Sequence, residues 1–172
     1  MANRSSAILK RDIAAWDGKC ARDIEDVYND HGDESSFVTD LIGFAELPDL
    51  EVGATWLLKK HREVEGLAPD VADRIYGLVP HLGHWAARLH VLQLMPYLAV
   101  PKRRAEEVAA FIREGLRSKQ AVVRAWAYGG LYELAMQFPE YVAEARPLLE
   151  KARRDEAASV KARLRNAMTE EL

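Results

Sequence analysis

Arg88, Trp126 and Arg163 are spaced 38 and 37 residues apart, and their side chains suit a flat or anionic ligand. A guanidinium group pairs with a phosphate or a carboxylate, and an indole ring stacks on planar groups and on cations. If the three residues share one surface, we expect any ligand there to be anionic or to carry an aromatic ring. The competing interpretation is that Trp126 packs in the core, as large apolar side chains often do.

A second group of basic side chains, Lys102, Arg103 and Arg104, follows Pro101 at the expected start of a helix. Positive charge at a helix N-terminus opposes the helix dipole, at a cost of roughly 0.3–1 kcal/mol. Two glutamates follow at helical spacing, but base before acid is the less favourable order. Because departures from local rules are enriched at functional sites, these three residues are candidate partner-binding residues, and a solvated charge run is the alternative.

Metal and nucleophile chemistry find little support in the sequence. His81 and His84 are close together and His90 follows, but no cysteine or carboxylate nearby completes a tetrahedral zinc site. The single cysteine, Cys20, occupies an apolar helical position, which predicts a buried small side chain. There is no phosphate-binding glycine loop and no nucleophile elbow. The sequence therefore predicts no catalytic residue, no metal and no cofactor, and favours a non-enzymatic protein.

Helical spacing of apolar residues runs through almost the whole chain, and no segment shows the alternation of a strand. One stripe near the N-terminus predicts a helix; it consists of Ile13, Trp16, Cys20, Ile24 and Val27. Prolines at expected helix starts and glycines at expected helix ends divide the rest into segments of ten to twenty residues. The sequence predicts an all-α protein of about eight helices without a long linker.

Four segments align in register, starting at Val52, Trp85, Val123 and Val160, at intervals of 33, 38 and 37 residues. The third position of each segment is alanine; the four residues are Ala54, Ala87, Ala125 and Ala162. A small side chain there would let neighbouring helices approach closely. The fourth position varies, being Thr55, Arg88, Trp126 and Arg163, and it lies about 100° around the helix from the alanines. A two-helix period of this length is typical of an α-solenoid.

These repeats resemble HEAT repeats of the armadillo/HEAT superfamily. The last repeat carries the resemblance best, with Pro147 in its first helix, Asp155 in its turn and Val160-Lys161 opening its second helix; Val123-Arg124 matches the same opening. The resemblance covers residues 37–172 and implies a right-handed α-α superhelix of about four helix pairs, with residues 1–36 as an N-terminal capping helix and loop of one domain. It also implies that Asp155, Arg124 and Lys161 tie adjacent repeats together.

The composition is that of an ordinary globular chain of 172 residues, with 49% apolar residues and a formal net charge of −3. Residues 1–52 carry a net charge of −7 and residues 53–172 one of +4. The basic part either faces an anionic partner or complements the acidic part. No stretch approaches the ~18 apolar residues of a membrane span, and no secretory signal is visible. We expect a cytoplasmic protein with no membrane partner.

In a HEAT-like fold the second helices line the concave surface, so the resemblance implies that Arg88, Trp126 and Arg163 form a ladder there. The first functional hypothesis is a scaffold that binds another protein through this surface. The alternative is nucleic-acid binding, as in HEAT-like DNA-alkylation-repair proteins. Those proteins also use an acidic residue on a concave helix, where this chain has Lys59 and Lys60, and the net charge of −3 does not favour nucleic acid. A small-molecule role, known among HEAT-like proteins, is the third.

Overall fold

The computed structural model describes residues 4–168 and 172, and all regular structure in that part of the chain is helical. The all-α expectation is confirmed, with ten α-helices rather than about eight. The helices are α1 (Arg4–Ala15), α2 (Ala21–His31), α3 (Phe37–Ala45), α4 (Glu51–Val64), α5 (Ala72–Gly77), α6 (Trp85–Leu94), α7 (Ala105–Leu116), α8 (Ala121–Gln137), α9 (Val142–Asp155) and α10 (Ala158–Ala167). Short 3-10 turns cover Pro69–Val71, Met95–Tyr97, Lys102–Arg104 and Pro139–Tyr141. None of the described helices is long and apolar enough to cross a membrane.

The N-terminal apolar stripe belongs to two helices, because the chain turns between α1 and α2. Gly18 adopts a left-handed conformation with φ of 77°, which a helix cannot continue through. Trp16 stabilises the turn, since its indole Nε1 donates a hydrogen bond to the carbonyl oxygen of Cys20 at 2.8 Å. Cys20 precedes α2 and is exposed, so the prediction that it is a buried side chain within a helix is wrong.

The chain divides into two compact units, Met1–Val91 and Leu92–Leu172, and the division falls within α6. In the N-terminal unit α3 packs along α4, and α1 and α2 also pack on α4. Gly53 lets α1 come close, since a Cβ at that position would lie 2.7 Å from Cγ2 of Ile13. Ala54 and Ala87 are fully buried, as close helix packing requires.

In the C-terminal unit α8 is central, because it packs against α7, α9 and α10. The approach of α7 to α8 depends on small residues: a Cβ on Gly115 would lie only 2.9 Å from Cβ of Ala127. Ala125 is buried and Ala162 is half-buried. Pro147 lies inside α9, where the resemblance puts the proline of a first helix.

A recurrent sequence separation of 31 to 37 residues links hydrogen-bonded partners within each unit. In the N-terminal unit the pairs are Glu25–Lys60, Thr39–Arg74, Glu51–Gly83 and Thr55–His90. In the C-terminal unit they are Val100–Gln137, Glu106–Tyr141, Arg113–Glu144 and Arg124–Glu156. The first of these pairs joins α2 to α4, so the same spacing extends into residues 1–36.

His31 fastens the first two helices together. Its imidazole lies 2.9 Å from Oε1 of Glu34 and 3.0 Å from Oδ2 of Asp12 on α1. Burial favours the neutral ring, but the hydrogen bonds to the two carboxylates outweigh it and raise the pKa of His31. The hydrogen bond from His31 lowers the pKa of Asp12, and hydrogen bonds from Ser5 and then His31 lower the pKa of Glu34.

Candidate functional site

Trp126 and Arg163 form a stacked pair on the C-terminal unit. The guanidinium carbon of Arg163 on α10 lies 3.5 Å from the centre of the Trp126 ring on α8. Both side chains are half-buried. Trp126 is therefore not fully buried, and Arg163 covers one face of its ring.

Arg163 retains unused hydrogen-bonding capacity. Its Nε is buried and has no hydrogen-bond partner. Burial lowers the pKa of Arg163, against the electrostatic influence of Tyr97 and Glu133, although a guanidinium remains charged at neutral pH. Among the side chains that the structure describes, no carboxylate lies within 4.0 Å of this guanidinium. A positive charge held in place without an ion-pair partner can accept an anionic group from another molecule.

Two other arginines of the same unit are engaged differently. Nε and Nη2 of Arg113 donate to both oxygens of Glu144 at 2.8 Å, joining α7 to α9. Arg124 donates in the same two-pronged way to Glu156 at 3.0 and 3.1 Å. These pairs are internal ties, so Arg124 has the structural role that the resemblance implies. Its partner is Glu156; the side chain of Asp155 lies outside the described part of the chain.

Two residues beside Arg163 were not singled out from the sequence. Glu133 lies on α8 seven residues after Trp126, which puts both on one face of the helix, and burial raises the pKa of its carboxyl. The spacing of seven residues from Trp126 could have identified Glu133 as a residue of this site from the sequence. Tyr97 lies in the 3-10 turn after α6 and is 58% exposed. Nothing in the local sequence around Tyr97 indicates its proximity to a residue 66 positions later.

Arg88 lies in the N-terminal unit, on α6. Its Nη1 donates to the carbonyl oxygen of Leu82 at 3.2 Å, in the turn before its own helix, and the side chain is half-buried. The structure thus brings together Trp126 and Arg163 of the predicted ladder, and the place of Arg88 beside them stays a prediction. Thr55, at the equivalent position of α4, is fully buried.

The basic segment Lys102–Arg104 forms a 3-10 turn that precedes α7. Lys102 and Arg103 are exposed, and Nη1 of Arg104 donates to Oε2 of Glu107 at 2.8 Å. Since the α-helix begins only at Ala105, its first turn contains two glutamates, which suit the helix dipole. The predicted conflict with the dipole is therefore relieved, because the arginines lie one turn earlier.

The histidine pair has its own structural setting. Glu51, which is buried, accepts hydrogen bonds from the backbone N–H groups of Gly83 and His84 at 2.9 and 2.7 Å. This carboxylate fixes the turn in which His81 and His84 lie. Within residues 4–168, no three His, Cys, Asp or Glu side chains are grouped so that they could hold a metal ion.

Comparisons with known proteins do not add to this picture. The chain matches no family model, no curated protein and no solved structure. The stacked pair of Trp126 and Arg163 places a positive charge and an indole ring together in the C-terminal unit.

Proposed function

We propose that this chain is a non-enzymatic binding protein, built as a HEAT-like solenoid, that recognises a carboxylate-bearing segment of a partner protein through Trp126 and Arg163. The observation that carries the proposal is the stacking of the Arg163 guanidinium at 3.5 Å on the half-buried indole of Trp126. The pair presents the positive charge of a guanidinium next to an indole ring. Such sites suit an acidic side chain next to an aromatic one, since arginine and tryptophan are enriched among the residues that dominate interfaces.

The repeated separation of hydrogen-bonded partners supports the solenoid part of the proposal. In a solenoid each helix pair contacts the next one, so equivalent positions meet at one repeat length. The bond Arg113–Glu144 joins the first helices α7 and α9 at a separation of 31 residues, and Arg124–Glu156 joins α8 to the turn before α10 at a separation of 32 residues. The buried alanine at the third position of α4, α6 and α8 agrees with close packing of second helices.

A protein partner is favoured over nucleic acid by charge. The chain has a formal net charge of −3, whereas nucleic-acid-binding domains concentrate positive charge on one face. In the basic segment Arg104 is paired with Glu107. Glu133 beside Arg163 would also repel a chain of phosphates, while a single carboxylate could still reach the outer edge of the guanidinium.

The test measures binding of defined probes by fluorescence anisotropy. One probe is a labelled twelve-residue peptide of alternating Glu and Phe; its control replaces every Glu with Gln, and a third probe is a labelled oligo-dT. We expect saturable binding of the Glu-Phe peptide only. Arg163→Gln should weaken it about tenfold, as loss of a charged hydrogen bond does. Arg153→Gln removes the same charge from an exposed position of α9 and should leave binding unchanged.

Two outcomes would contradict the proposal. Equal binding of the Glu-Phe peptide by the wild type and Arg163→Gln would remove the assigned site. Preferential binding of oligo-dT, with an affinity that falls steeply as salt rises, would favour the nucleic-acid alternative, because each neutralised phosphate releases counterions.

A further inference from the structure

Three of the four tryptophans of the chain line one cavity in the N-terminal unit. The cavity has a volume of about 510 Å³, which is within the usual range for small-molecule sites. Trp16 comes from the end of α1, Trp56 from α4 and Trp85 from the start of α6, and His90 forms part of the wall. Trp85 is 43% exposed, so part of its indole ring is open to a ligand.

The hydrogen bonds of His90 fix the tautomer of its ring. Oγ1 of Thr55 lies 2.7 Å from the carbonyl oxygen of Glu51, so the hydroxyl must donate its single proton there. Oγ1 also lies 3.0 Å from Nδ1 of His90 and can only accept in that contact. His90 therefore carries its proton on Nδ1, and Nε2 is left with a lone pair.

Nε2 of His90 is an acceptor that the described residues do not use. The fully buried Thr55 occupies Nδ1, so Nε2 is the ring nitrogen that this cavity-lining residue has left for a ligand. Burial, together with the nearby positive charges of Lys59 and His84, lowers the pKa of His90 to about 3. The ring stays neutral over the physiological range and keeps its lone pair for a donor.

The charged groups around the cavity favour a cation. Its lining includes the carboxylates of Asp17 and Asp49 and one ammonium group, that of Lys19, which lies 4.0 Å from Asp17. Indole rings attract cations through their negative faces, more strongly than other aromatic rings. Trp56 already shows this behaviour, since Nζ of Lys59 lies 5.7 Å from its centre, and the charge of Lys59 is balanced by Glu63 at 3.1 Å.

We propose that this cavity binds a small organic ammonium ion that carries at least one N–H donor, with the tryptophans facing its positive charge and Nε2 of His90 accepting its hydrogen bond. The site is separate from the Trp126–Arg163 pair and has the opposite charge preference. Its ligand is a primary, secondary or tertiary amine with an apolar body, small enough for the volume.

The test uses the fluorescence of the cavity tryptophans in a Trp126→Phe background, in which every remaining tryptophan lines the cavity. The first probe is phenethylammonium, and 3-phenylpropionate is its anionic counterpart of similar size. We expect saturable quenching or a spectral shift with phenethylammonium alone. Because Trp126 is absent, the result does not depend on the proposed carboxylate site, and either proposal can fail without the other.

A methylated probe tests the hydrogen bond to His90. Phenethyltrimethylammonium keeps the charge but has no N–H, so it should bind the wild-type cavity about tenfold more weakly than phenethylammonium. His90→Phe removes the acceptor and should make the two probes bind alike. His81→Phe, at an exposed histidine outside the cavity, is the matched control and should preserve the difference.

The proposal also predicts which substitutions on the cavity rim matter. The double variant Asp17→Asn/Asp49→Asn should weaken phenethylammonium binding severalfold, whereas Asp23→Asn/Asp26→Asn, at exposed positions of α2 outside the cavity, should not. Absence of saturation with phenethylammonium, or equal affinity for the anion, would overturn the proposal. Equal affinity of the wild-type cavity for both ammonium probes would overturn the role of His90, whether or not His90→Phe folds.

Discussion

The guanidinium carbon of Arg163 lies 3.5 Å from the centre of the Trp126 ring, and this contact joins α10 to α8 without a carboxylate. Elsewhere in the C-terminal unit arginine joins helices through glutamate, as Arg113 on α7 does with Glu144 on α9. Arg163 therefore differs from the arginines of the same unit that are paired with glutamates. An ion pair neutralises the charge, whereas an indole holds the guanidinium in position and leaves its charge able to act on a ligand.

Trp126→Ala should cost less stability than the loss of a core tryptophan, because the side chain is not fully buried. We expect the free energy of unfolding, measured by urea denaturation, to fall by less than about 1.5 kcal/mol, against about 3–5 kcal/mol for a tryptophan in the core. Binding of the Glu-Phe peptide should weaken in the same variant. A loss in the core range would show that Trp126 mainly holds the helices together.

Ala125→Leu should destabilise the C-terminal unit by about 1–3 kcal/mol, because a larger side chain would overpack the buried position on α8. The matched control is Ala143→Leu on α9, where the alanine is exposed and the change should be nearly neutral. Urea denaturation monitored by circular dichroism measures both. Equal effects of the two substitutions would contradict close packing at the third repeat position.

Arg124→Gln should destabilise the chain by about 1 kcal/mol, because its two-pronged bond to the partly buried Glu156 is lost. Arg163→Gln should cost less stability while costing more binding. The pair of variants therefore separates a structural arginine from a ligand-binding one. If Arg124→Gln weakened peptide binding and Arg163→Gln did not, the two roles would have to be exchanged.

The stability of the chain should depend on pH through His31. Its pKa is raised in the folded state above the ordinary value of 6.5, so the stability it contributes is complete below that pH and is lost as the pH rises through the folded pKa. The free energy of unfolding of the wild type should therefore fall as the pH rises above 6.5. His31→Gln should flatten this dependence, and His81→Gln, at an exposed position, should leave it unchanged.

The two carboxylates on His31 act in the opposite direction. The pKa values of Asp12 and Glu34 are lowered from 3.8 and 4.5, so their contribution is present above those values and is lost as the pH falls through the folded pKa values. A free energy of unfolding of the wild type that changes with pH neither above pH 6.5 nor in the acid range would contradict these roles of His31, Asp12 and Glu34.

The helical class was predictable from the sequence, because the spacing of apolar residues reports directly on helix packing. The alanines at positions 54, 87 and 125 are buried, and Arg124 is a structural tie. The break after α1 was missed, since the apolar stripe continued across the turn with helical spacing; Gly18 was the available signal. Thr55 and the cavity around His90 were also missed, because a polar residue on a repeat position gives no sign of its partner 35 residues away.

A titration of the ¹⁵N-labelled protein with 3-phenylpropionate, followed by NMR, tests whether Arg163 and Trp126 together bind a carboxylate. We expect the Nε–H signal of Arg163 and the indole N–H signal of Trp126 to shift together along one saturable curve. In Arg163→Gln the Trp126 shift should disappear, while in Arg153→Gln it should persist. Shifts confined to other residues, or a Trp126 shift that persists in Arg163→Gln, would show that these two residues do not form a carboxylate-binding site.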